Sequence, residues 1–371
     1  MKRVLAWSLL TAAILSLCGC AAAPALPETT GAQTEPAAAE HLPAETLAAN
    51  LETQTQALEG SLFLKVSSVT FSLVGESDDI YLGTVPRELV TWESEDPSVV
   101  SVENGVLTAT GVGTTTIRAA YGDRQAACTA GCLAATQEAL DSLDPEILRA
   151  PKRLPPELDL AEPCTYFDNA AIVGDSITYF LMQWESKTNY LGNMLFLARG
   201  GVSMNGFVRR FKNIYYQGRE RKLEDAIAAS QVERVYFLMG SNDISSKTQR
   251  PYLFDNWTIM LERIREKSPD VEIVLMSNIP LYDADPNSKG NDAQIKAHNG
   301  RIEDYNVKLK QFAQENDCLF LDLCYYVQDH YNRMPEIYNQ GSYHMNEAGC
   351  LNWMKILRYY AQYELEGGTL S

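Results

Sequence analysis

Hydrophobic residues follow two different patterns along the chain. Residues 61 to about 133 contain short β-type runs separated by turn residues, which predicts a small all-β sandwich. These runs are 62–66, 69–73, 90–92, 99–102, 106–109 and 114–119. Residues 165–371 instead alternate apolar strand-like runs with helical patterns, which predicts an α/β region with a parallel sheet and helices on both faces.

The α/β region has three candidate site residues directly after its first three predicted strands. The predicted strands are 169–174, 194–198, 233–239, 271–277 and 318–323. Ser176, Gly201 and Asn242 lie on the turns that follow the first three. Sites in such sheets lie at the carboxyl ends of strands, so we expect these residues to meet at one edge.

The first 20 residues have the features of an export signal. Met1, Lys2 and Arg3 precede an apolar run, 4–17, that is too short to be a comfortable transmembrane helix. The signal ends in Leu-Cys-Gly-Cys, which resembles the bacterial lipobox, with Cys20 as the lipidated residue. This predicts an exported protein held on the outer face of the bacterial cell membrane by a lipid anchor alone. An ordinary secretory signal with incidental cysteines is the alternative.

Residues 21–60 are predicted to be a flexible acidic tether. They are rich in Ala, Pro, Thr and Glu, with six glutamates and no Lys or Arg. Such a composition cannot bury enough apolar surface to fold alone. His41 is therefore expected to be solvated and without a function.

The overall composition favours a globular protein that does not bind nucleic acid. The chain has 371 residues, 46% hydrophobic and 21% charged, which suits two or three domains. Its net charge of −17 argues against nucleic acid, and we expect no Lys/Arg cluster able to neutralise phosphates. The sequence does not predict the oligomeric state.

The cysteines do not form a metal-binding motif. Cys128 and Cys132 have a CxxxC spacing, unlike the CxxC pair of zinc or thioredoxin-like sites. Six cysteines remain after Cys20, which permits disulfides in an exported chain, but sequence does not give their pairing. No HExxH or clustered Cys/His motif occurs, so we predict no cofactor.

The all-β segment 61–133 resembles a known module. The stretch 90–102, Val-Thr-Trp-Glu-Ser-Glu-Asp-Pro-Ser-Val-Val-Ser-Val, is followed by Asn-Gly-Val-Leu at 104–107 and Gly-Val-Gly-Thr-Thr-Thr-Ile at 111–117. This pattern resembles the bacterial Ig-like domain of group 2, which implies a spacer or adhesive unit. We expect a spacer, because the segment contains no catalytic constellation. A Pro-containing linker, 134–164, follows it.

Ser176 is a candidate nucleophile. Gly174-Asp175-Ser176 joins an apolar strand to a helix, and a helix N-terminus favours negative charge that develops beside it. A plain helix cap is the alternative, since Asp and Ser are common N-caps.

A serine nucleophile needs a base, and the chain has only four histidines. His41 lies in the tether, and we expect His298 and His330 to be surface or packing residues. His344 lies in a loop just before the last predicted helix, where it can bend over the strand ends.

Residues 165 to 365 resemble the SGNH (GDSL-type) hydrolases. Gly174-Asp175-Ser176 matches the first motif of that family, Gly240-Ser241-Asn242-Asp243 the third and His344-Met345-Asn346-Glu347-Ala348-Gly349 the last. The resemblance implies a three-layer flavodoxin-like fold. It also implies Ser176 as nucleophile and oxyanion donor, Asn242 as a second donor and His344 as base. Gly201 best matches the third donor, although Gly200 and the backbone near Ser203 remain possible. Arg199 could contact substrate, but a solvated loop arginine is expected.

The chain departs from the family pattern at Gly341, where the family usually has the aspartate of a D-x-x-H motif. Without that acid the imidazolium is less stabilised and its tautomer less fixed. Either a backbone carbonyl or another acid replaces it, or activity is impaired.

Three functions therefore stay open. The first is a surface ester hydrolase that removes acetyl or similar small acyl groups from carbohydrate, or that acts on another small ester. An O-acyltransferase that uses the same acyl-enzyme and a non-catalytic carbohydrate-binding or adhesive module are the others. Loops 281–294 and 328–338 are expected to determine specificity.

Overall fold

The computed structural model describes residues 60–161, 164–211, 213–282 and 292–370. The predicted export signal with Cys20 and nearly all of the predicted tether, including His41, lie outside the described residues. Residues 283–291 of the predicted specificity loop 281–294 lie outside them as well.

Residues 60–134 form two small sheets. The strands are β1 (Ser68–Leu73), β2 (Ser77–Asp79), β3 (Thr91–Ser94), β4 (Val100–Glu103), β5 (Val106–Ala109), β6 (Gly113–Tyr121) and β7 (Arg124–Ala134). The first sheet has the order β3-β6-β7-β1, with β1 and β7 parallel and the other pairs antiparallel. The second sheet is antiparallel, in the order β2-β5-β4. The region is thus all-β, and its identification as an Ig-like domain stays a prediction.

The central strand β7 is the main difference from the predicted strands. Its sequence is rich in Ala, Cys and Gly, which have little of the β-branched or aromatic character typical of strands. Cys128 and Cys132 lie on its buried face, packed in the core. The predicted run 62–66, by contrast, makes only an isolated bridge, between Leu64 and Tyr81.

The described part of the predicted linker 134–164 is packed against the rest of the chain. It contains α1 (Gln137–Asp141), α2 (Pro145–Leu148) and β8 (Arg153–Leu154). Strand β8 pairs antiparallel with β1 and extends the first sheet. The Lys152 N–H also donates to the carbonyl of Gln328 at 2.8 Å, which joins this segment to the α/β region.

The α/β region contains a five-stranded parallel sheet. The strands are β9 (Ala170–Gly174), β10 (Leu195–Ala198), β13 (Arg234–Leu238), β14 (Glu272–Met276) and β15 (Leu319–Leu321). Their order is β10-β9-β13-β14-β15, which is the 2-1-3-4-5 order of flavodoxin-like sheets. The chain direction across the sheet reverses at β9, so a site is expected at the carboxyl end of that strand.

Helices cover both faces of this sheet, because its strands carry buried apolar side chains on both faces. Two cores result, with Ile172 and Tyr236 facing one, and Val173 and Phe237 facing the other. The helices are α3 (Ser176–Thr188), α4 (Met204–Val208), α5 (Leu223–Ser230), α6 (Ser241–Ser245), α7 (Leu253–Lys267), α8 (Asp292–Glu315) and α9 (Glu347–Leu365). Two hairpins complete the region, β11 (Ile214–Tyr216) with β12 (Arg219–Arg221) and β16 (Asn339–Gln340) with β17 (His344–Met345).

The all-β region and the α/β region share one of the two cores. The ring of Phe63 packs edge-on against Tyr359 and Tyr363 of α9, with centroid distances of 5.6 and 5.7 Å. The Tyr359 hydroxyl donates to the carbonyl of Leu64 at 2.6 Å. These buried contacts continue the hydrophobic cluster of the all-β region into the α/β region.

An ionic contact closes the same interface. Arg153 of β8 pairs with Asp78 at 2.6 Å, and Tyr325 donates to the same carboxylate at 3.0 Å. The guanidinium of Arg153 also lies over the Tyr325 ring, 4.3 Å from its centroid. The all-β region is therefore fixed to the α/β region.

All six cysteines within the described ranges are free thiols, and five of them are buried. In the described part of the chain, no helix is both long and apolar enough to cross a membrane.

Candidate active site

Ser176 is the first residue of helix α3, directly beyond the switch-point strand β9. Asp175 is the N-cap, and its carboxylate accepts from the Ile177 N–H at 2.9 Å. Gly174 is required for this sharp turn, because a Cβ there would lie 1.8 Å from the Thr178 hydroxyl oxygen. The turn holds the Ser176 hydroxyl at the carboxyl end of the sheet and at the positive end of a helix dipole.

His344 contacts Ser176 although it lies near the carboxyl-terminal end of the α/β region in sequence. It lies on β17, and its Nε2 is 3.0 Å from the Ser176 hydroxyl oxygen. The next residues fix this strand to helix α9, because Asn346 caps that helix by accepting from the Gly349 N–H at 3.1 Å. The two residues are 168 positions apart in sequence, and the fold brings them into direct hydrogen-bonding contact.

Phe180 packs against the imidazole of His344. The two rings are stacked, with centroids 4.5 Å apart and planes inclined by 29°. Phe180 lies one helical turn after Ser176, so both side chains project from the same side of α3. Burial lowers the pKa of His344 below its usual value, which keeps the ring neutral and able to accept a proton at neutral pH.

No carboxylate orients His344 within the described residues, and no hydrogen-bond partner of its Nδ1 is found there. Gly341, at the position where the family resemblance predicts an aspartate, lies in the three-residue loop between β16 and β17. Its φ is +67°, a left-handed conformation that favours glycine. A Cβ at Gly341 would meet no atom within 4 Å. The loop therefore uses Gly341 for its backbone geometry.

Asp175 joins the first motif to the third. Its buried carboxylate accepts from the Ser241 hydroxyl and, at 3.1 Å, from the Asn242 side-chain amide. Burial raises the pKa of Asp175 to about 6. Four donors or more would be needed to satisfy both oxygens fully, so this carboxylate depends on each donor that it has.

Asn242 lies in the site, but its amide is engaged by the protein. The nitrogen donates to the Val202 carbonyl at 2.7 Å as well as to Asp175. An amide nitrogen has two hydrogens, and both have acceptors here. The predicted role as an oxyanion donor thus requires one of these hydrogens to turn toward substrate.

Gly201 lies in the loop that follows β10, with φ +69°. No acceptor for its N–H is found in the described part of the chain. Asp243 holds the end of this loop, since its buried carboxylate accepts from Met204 at 2.8 Å and Asn205 at 3.0 Å. Burial raises the pKa of Asp243. Ser203, an alternative predicted position, caps α4 through its hydroxyl.

The other predicted candidates have structural roles. His330 bonds the Ser72 hydroxyl of the all-β region at 3.0 Å, and His298 lies beside Arg301. Burial lowers the pKa of both histidines to about 4. Arg199 pairs with Glu220 at 2.9 Å and donates to the Asn213 carbonyl at 2.7 Å, so its charge is neutralised.

A cavity of about 500 Å³ lies elsewhere, at the contact of the all-β region with the α/β region. Lys65, Arg87 and Lys310 line it, and neither Ser176 nor His344 does. Within the described ranges, no group of three or more His, Cys, Asp or Glu side chains is arranged to hold a metal ion.

Sequence analysis gave no role in the site to Phe180, Asp175 or Asp243, although the two aspartates lie within the matched motifs. The i, i+4 spacing of Ser176 and Phe180 was a usable signal for the first. The carboxylate contacts join distant segments, and single-sequence patterns carry no signal for them.

A paired serine and histidine at the carboxyl edge of a parallel sheet is the arrangement of a serine hydrolase. Residues 172–350, just under half of the chain, match the GDSL-like lipase/acylhydrolase family. The matched region is accordingly of the GDSL-like lipase/acylhydrolase type, and the chain is an enzyme. No curated protein matches it.

Two solved bacterial structures are similar to part of this chain. A protein from Bacteroides fragilis NCTC 9343 described as an acylhydrolase has 18% identity and a TM-score of 0.43, over 56% of this chain and 92% of that one. A GDSL-like lipase from Bacteroides thetaiotaomicron VPI-5482 has 15% identity and a TM-score of 0.42, over 54% of this chain and 91% of that one.

Proposed function

We propose that Ser176 and His344 form a catalytic dyad that hydrolyses carboxylic esters through an acyl-enzyme. The observation that carries this proposal is the 3.0 Å contact between the serine oxygen and Nε2. This distance is within the range needed for direct proton transfer. For Nε2 to accept, the proton of neutral His344 must be on Nδ1.

The reaction proceeds in two halves. The Ser176 oxygen attacks the ester carbonyl while its proton passes to Nε2, and the leaving alcohol takes that proton as the C–O bond breaks. Water then attacks the acyl-enzyme, with its proton again passing to Nε2, and the carboxylic acid leaves as Ser176 regains its hydrogen. The histidine thus acts as base and then as acid in each half.

The oxyanion is stabilised by backbone donors beside the serine. The Gly201 N–H has no acceptor in the described part of the chain, and the Ser176 N–H lies at the first position of a helix. Asn242 supplies a third donor when one amide hydrogen leaves Asp175. Preorganised donors of this kind are often the largest contribution to acyl transfer.

Phe180 replaces part of the stabilisation that a triad acid normally gives. The imidazolium that forms during attack lies against the face of an aromatic ring, and such a face attracts a cation. This supports a working dyad and argues against the non-catalytic binding module.

The substrate is proposed to be carbohydrate that carries acetyl or similar small acyl groups. Two exposed tyrosines support this, Tyr179 on the first turn of α3 and Tyr343 next to His344, with 39% and 52% of their surface accessible. Exposed aromatic rings beside a nucleophile can stack on sugar rings. No observation favours the acyltransferase alternative.

The activity test is hydrolysis of p-nitrophenyl acetate by the full chain and by Ser176→Ala and His344→Ala. Each variant should lose at least about 10³-fold in kcat, because both residues handle the same proton. Melting temperatures close to wild type would show that the fold is kept. An active His344→Ala protein would refute the dyad. When a sugar acceptor is added to the assay, acetylated sugar formed in place of acetate would assign a transferase.

The location is proposed from the sequence alone. Lipidation at Cys20 would hold the enzyme on the outer face of the cell membrane, with the acidic segment 21–60 between the anchor and the folded regions. Cys20→Ala should release the protein from the membrane fraction, and retention of this variant would refute the anchor.

A further inference from the structure

A basic, aromatic hairpin lies next to the catalytic edge of an otherwise acidic protein. Residues 209–222 include six of the 31 Lys and Arg residues and one acid. The expectation of no Lys/Arg cluster able to neutralise phosphates overlooked this segment, whose cations are already close in sequence and lie on or beside the hairpin of β11 and β12. Lys212 lies outside the described residues, and the other five cations are described.

An open groove of about 790 Å³ runs between this hairpin and helix α5. Four cations line it, Arg210, Arg219, Arg221 and Lys222. Its two acids are Glu220 and Asp225. A concave surface of this size accommodates a few sugar units of a polymer.

Both acids of the groove already have cationic partners outside it. Glu220 pairs with Arg199 at 2.9 Å, and Asp225 pairs with Lys267 of α7. Among the four groove cations, only Arg210 has an ion-pair partner in the described part of the chain, Glu224 at 3.0 Å. The groove therefore has a net positive charge.

The cations are placed to receive an anionic ligand. Arg219 and Lys222 are exposed and make no ion pair within the described ranges. The Nε of Arg221 is buried without an acceptor there, although the guanidinium bonds Gln217 at 3.0 Å and packs on the Tyr216 ring. A buried donor with no acceptor costs stability unless a ligand supplies one.

Arg199 connects the hairpin to the strand that precedes Ser176. The Arg199 N–H donates to the Gly174 carbonyl at 3.2 Å, and its guanidinium bonds Asn213 and Glu220 of the hairpin segment. Phe211 and Tyr215 stand on the same segment with 59% and 67% of their surface exposed. The groove thus lies next to the catalytic edge and has exposed aromatic rings beside it.

We propose that this groove binds a carboxylate-bearing stretch of the polymeric substrate, so that the enzyme acts on acylated acidic polysaccharide. This inference rests on the proposed esterase function and specifies its substrate. Guanidinium groups bind carboxylates in a bidentate manner, and exposed aromatic rings stack on sugars between the charges. The cations line a groove that also contains carboxylates, which suits an extended chain better than a flat membrane surface.

The test compares three acetyl esters at low salt: acetylated polygalacturonate, acetylated xylan and p-nitrophenyl acetate. The variant is Arg219→Gln/Lys222→Gln, and the matched control is Arg124→Gln/Lys308→Gln, which removes the same charges from distant exposed positions. This variant loses two exposed ion pairs with the carboxylates of the polymer, which should raise KM for acetylated polygalacturonate about 5- to 10-fold. Turnover of p-nitrophenyl acetate and KM for acetylated xylan should stay unchanged in both variants.

A second measurement separates this inference from the esterase proposal. Binding of unesterified polygalacturonate to the Ser176→Ala protein, measured by calorimetry, should weaken in the groove variant and with added salt. Equal KM for the acidic and neutral polymers, or a groove variant equal to its control, would overturn the inference while leaving the esterase intact. Absence of Ser176-dependent hydrolysis of p-nitrophenyl acetate would overturn the esterase instead.

Vesicles containing phosphatidylglycerol test the competing partner. The proposal would be refuted if the protein sediments with these vesicles, the groove variant does not, and the protein does not bind polygalacturonate. These results together would assign the groove to a lipid surface.

Discussion

The ring of Phe180 lies parallel enough to the imidazole of His344 to stack on it, with the centroids 4.5 Å apart. Phe180 follows Ser176 by one helical turn, so one helix supplies both the candidate nucleophile and the aromatic face that holds its base. Since no carboxylate within the described residues contacts Nδ1, this stacking and the hydrogen bond to Ser176 orient the His344 ring.

Phe180→Ala should therefore slow ester hydrolysis without changing the catalytic groups. Ring pairs contribute about 0.5–1.5 kcal/mol beyond their buried area, so kcat for p-nitrophenyl acetate should fall about 3- to 10-fold. Phe180→Tyr keeps the ring and should retain the wild-type rate. If both variants have the wild-type kcat, stacking does not orient the base.

Gly341→Asp should not improve the enzyme. The left-handed backbone at Gly341 disfavours an aspartate by on the order of 1 kcal/mol, so the melting temperature should fall. Gly341→Asn is the matched control, because asparagine tolerates this conformation better and carries no charge. A kcat for Gly341→Asp tenfold above that of Gly341→Asn would show that an acid at this position reaches His344.

Asn242→Ala should reduce both turnover and stability. Loss of one oxyanion donor lowers kcat by about 10²- to 10³-fold. The buried carboxylate of Asp175 also loses a donor, which costs about 1–3 kcal/mol of folding free energy. Ser241→Ala removes the other side-chain donor to Asp175 and leaves the amide in place. Equal losses of kcat in the two variants would mean that Asn242 only positions Asp175.

Asp175 should make folding stability depend on pH. Its folded pKa of about 6 lies above the ordinary 3.8, so between these values the unfolded chain releases the proton first. Its contribution to stability is therefore greatest below pH 4 and falls as the pH rises to about 6. Urea unfolding of wild type and Asp175→Asn should show a difference that changes by on the order of 3 kcal/mol across this window. A constant difference would contradict the raised pKa.

The pH dependence of activity tests the histidine separately. Burial lowers the pKa of His344, so the base is protonated only at a pH below 6.5. The acid limb of kcat/KM should therefore lie below that value. The limb should persist in Gly341→Asn, which leaves the burial of the ring unchanged. An acid limb above pH 6.5 would indicate that an anionic group stabilises the imidazolium.

The parallel sheet could be predicted from sequence because its strands are buried on both faces. Continuous apolar runs such as 170–174 and 235–238 are followed by Gly and Asp or Ser residues, and the structure places strands there. Strand β7 could not be predicted in this way. Its small residues have weak strand propensity, and its place at the centre of a sheet depends on pairing with β6 and β1.

The pairing of Ser176 with His344 was predictable from motifs, but the carboxylates around it were not. Asp175 and Asp243 lie within the matched motifs, but the sequence does not show which groups their carboxylates contact. Their contacts reach segments 66 and 39 residues away along the chain, and only the fold brings those segments together. The groove itself was not predictable, because only the folded hairpin and helix α5 place Arg210 and Arg219 on one concave surface.

The core shared by Phe63, Tyr359 and Tyr363 sets a limit on how this enzyme can be divided. In a fragment that begins at residue 165, the tyrosine rings of the last helix would lose their contact with Phe63 and be exposed to solvent. Such a fragment should aggregate through this exposed apolar surface. The intact chain should give a single calorimetric transition for residues 60–370, because neither part can melt without exposing the other. The amino-terminal sheets therefore stabilise the position of the helix that follows His344. A destabilising substitution in these sheets should consequently lower the catalytic rate.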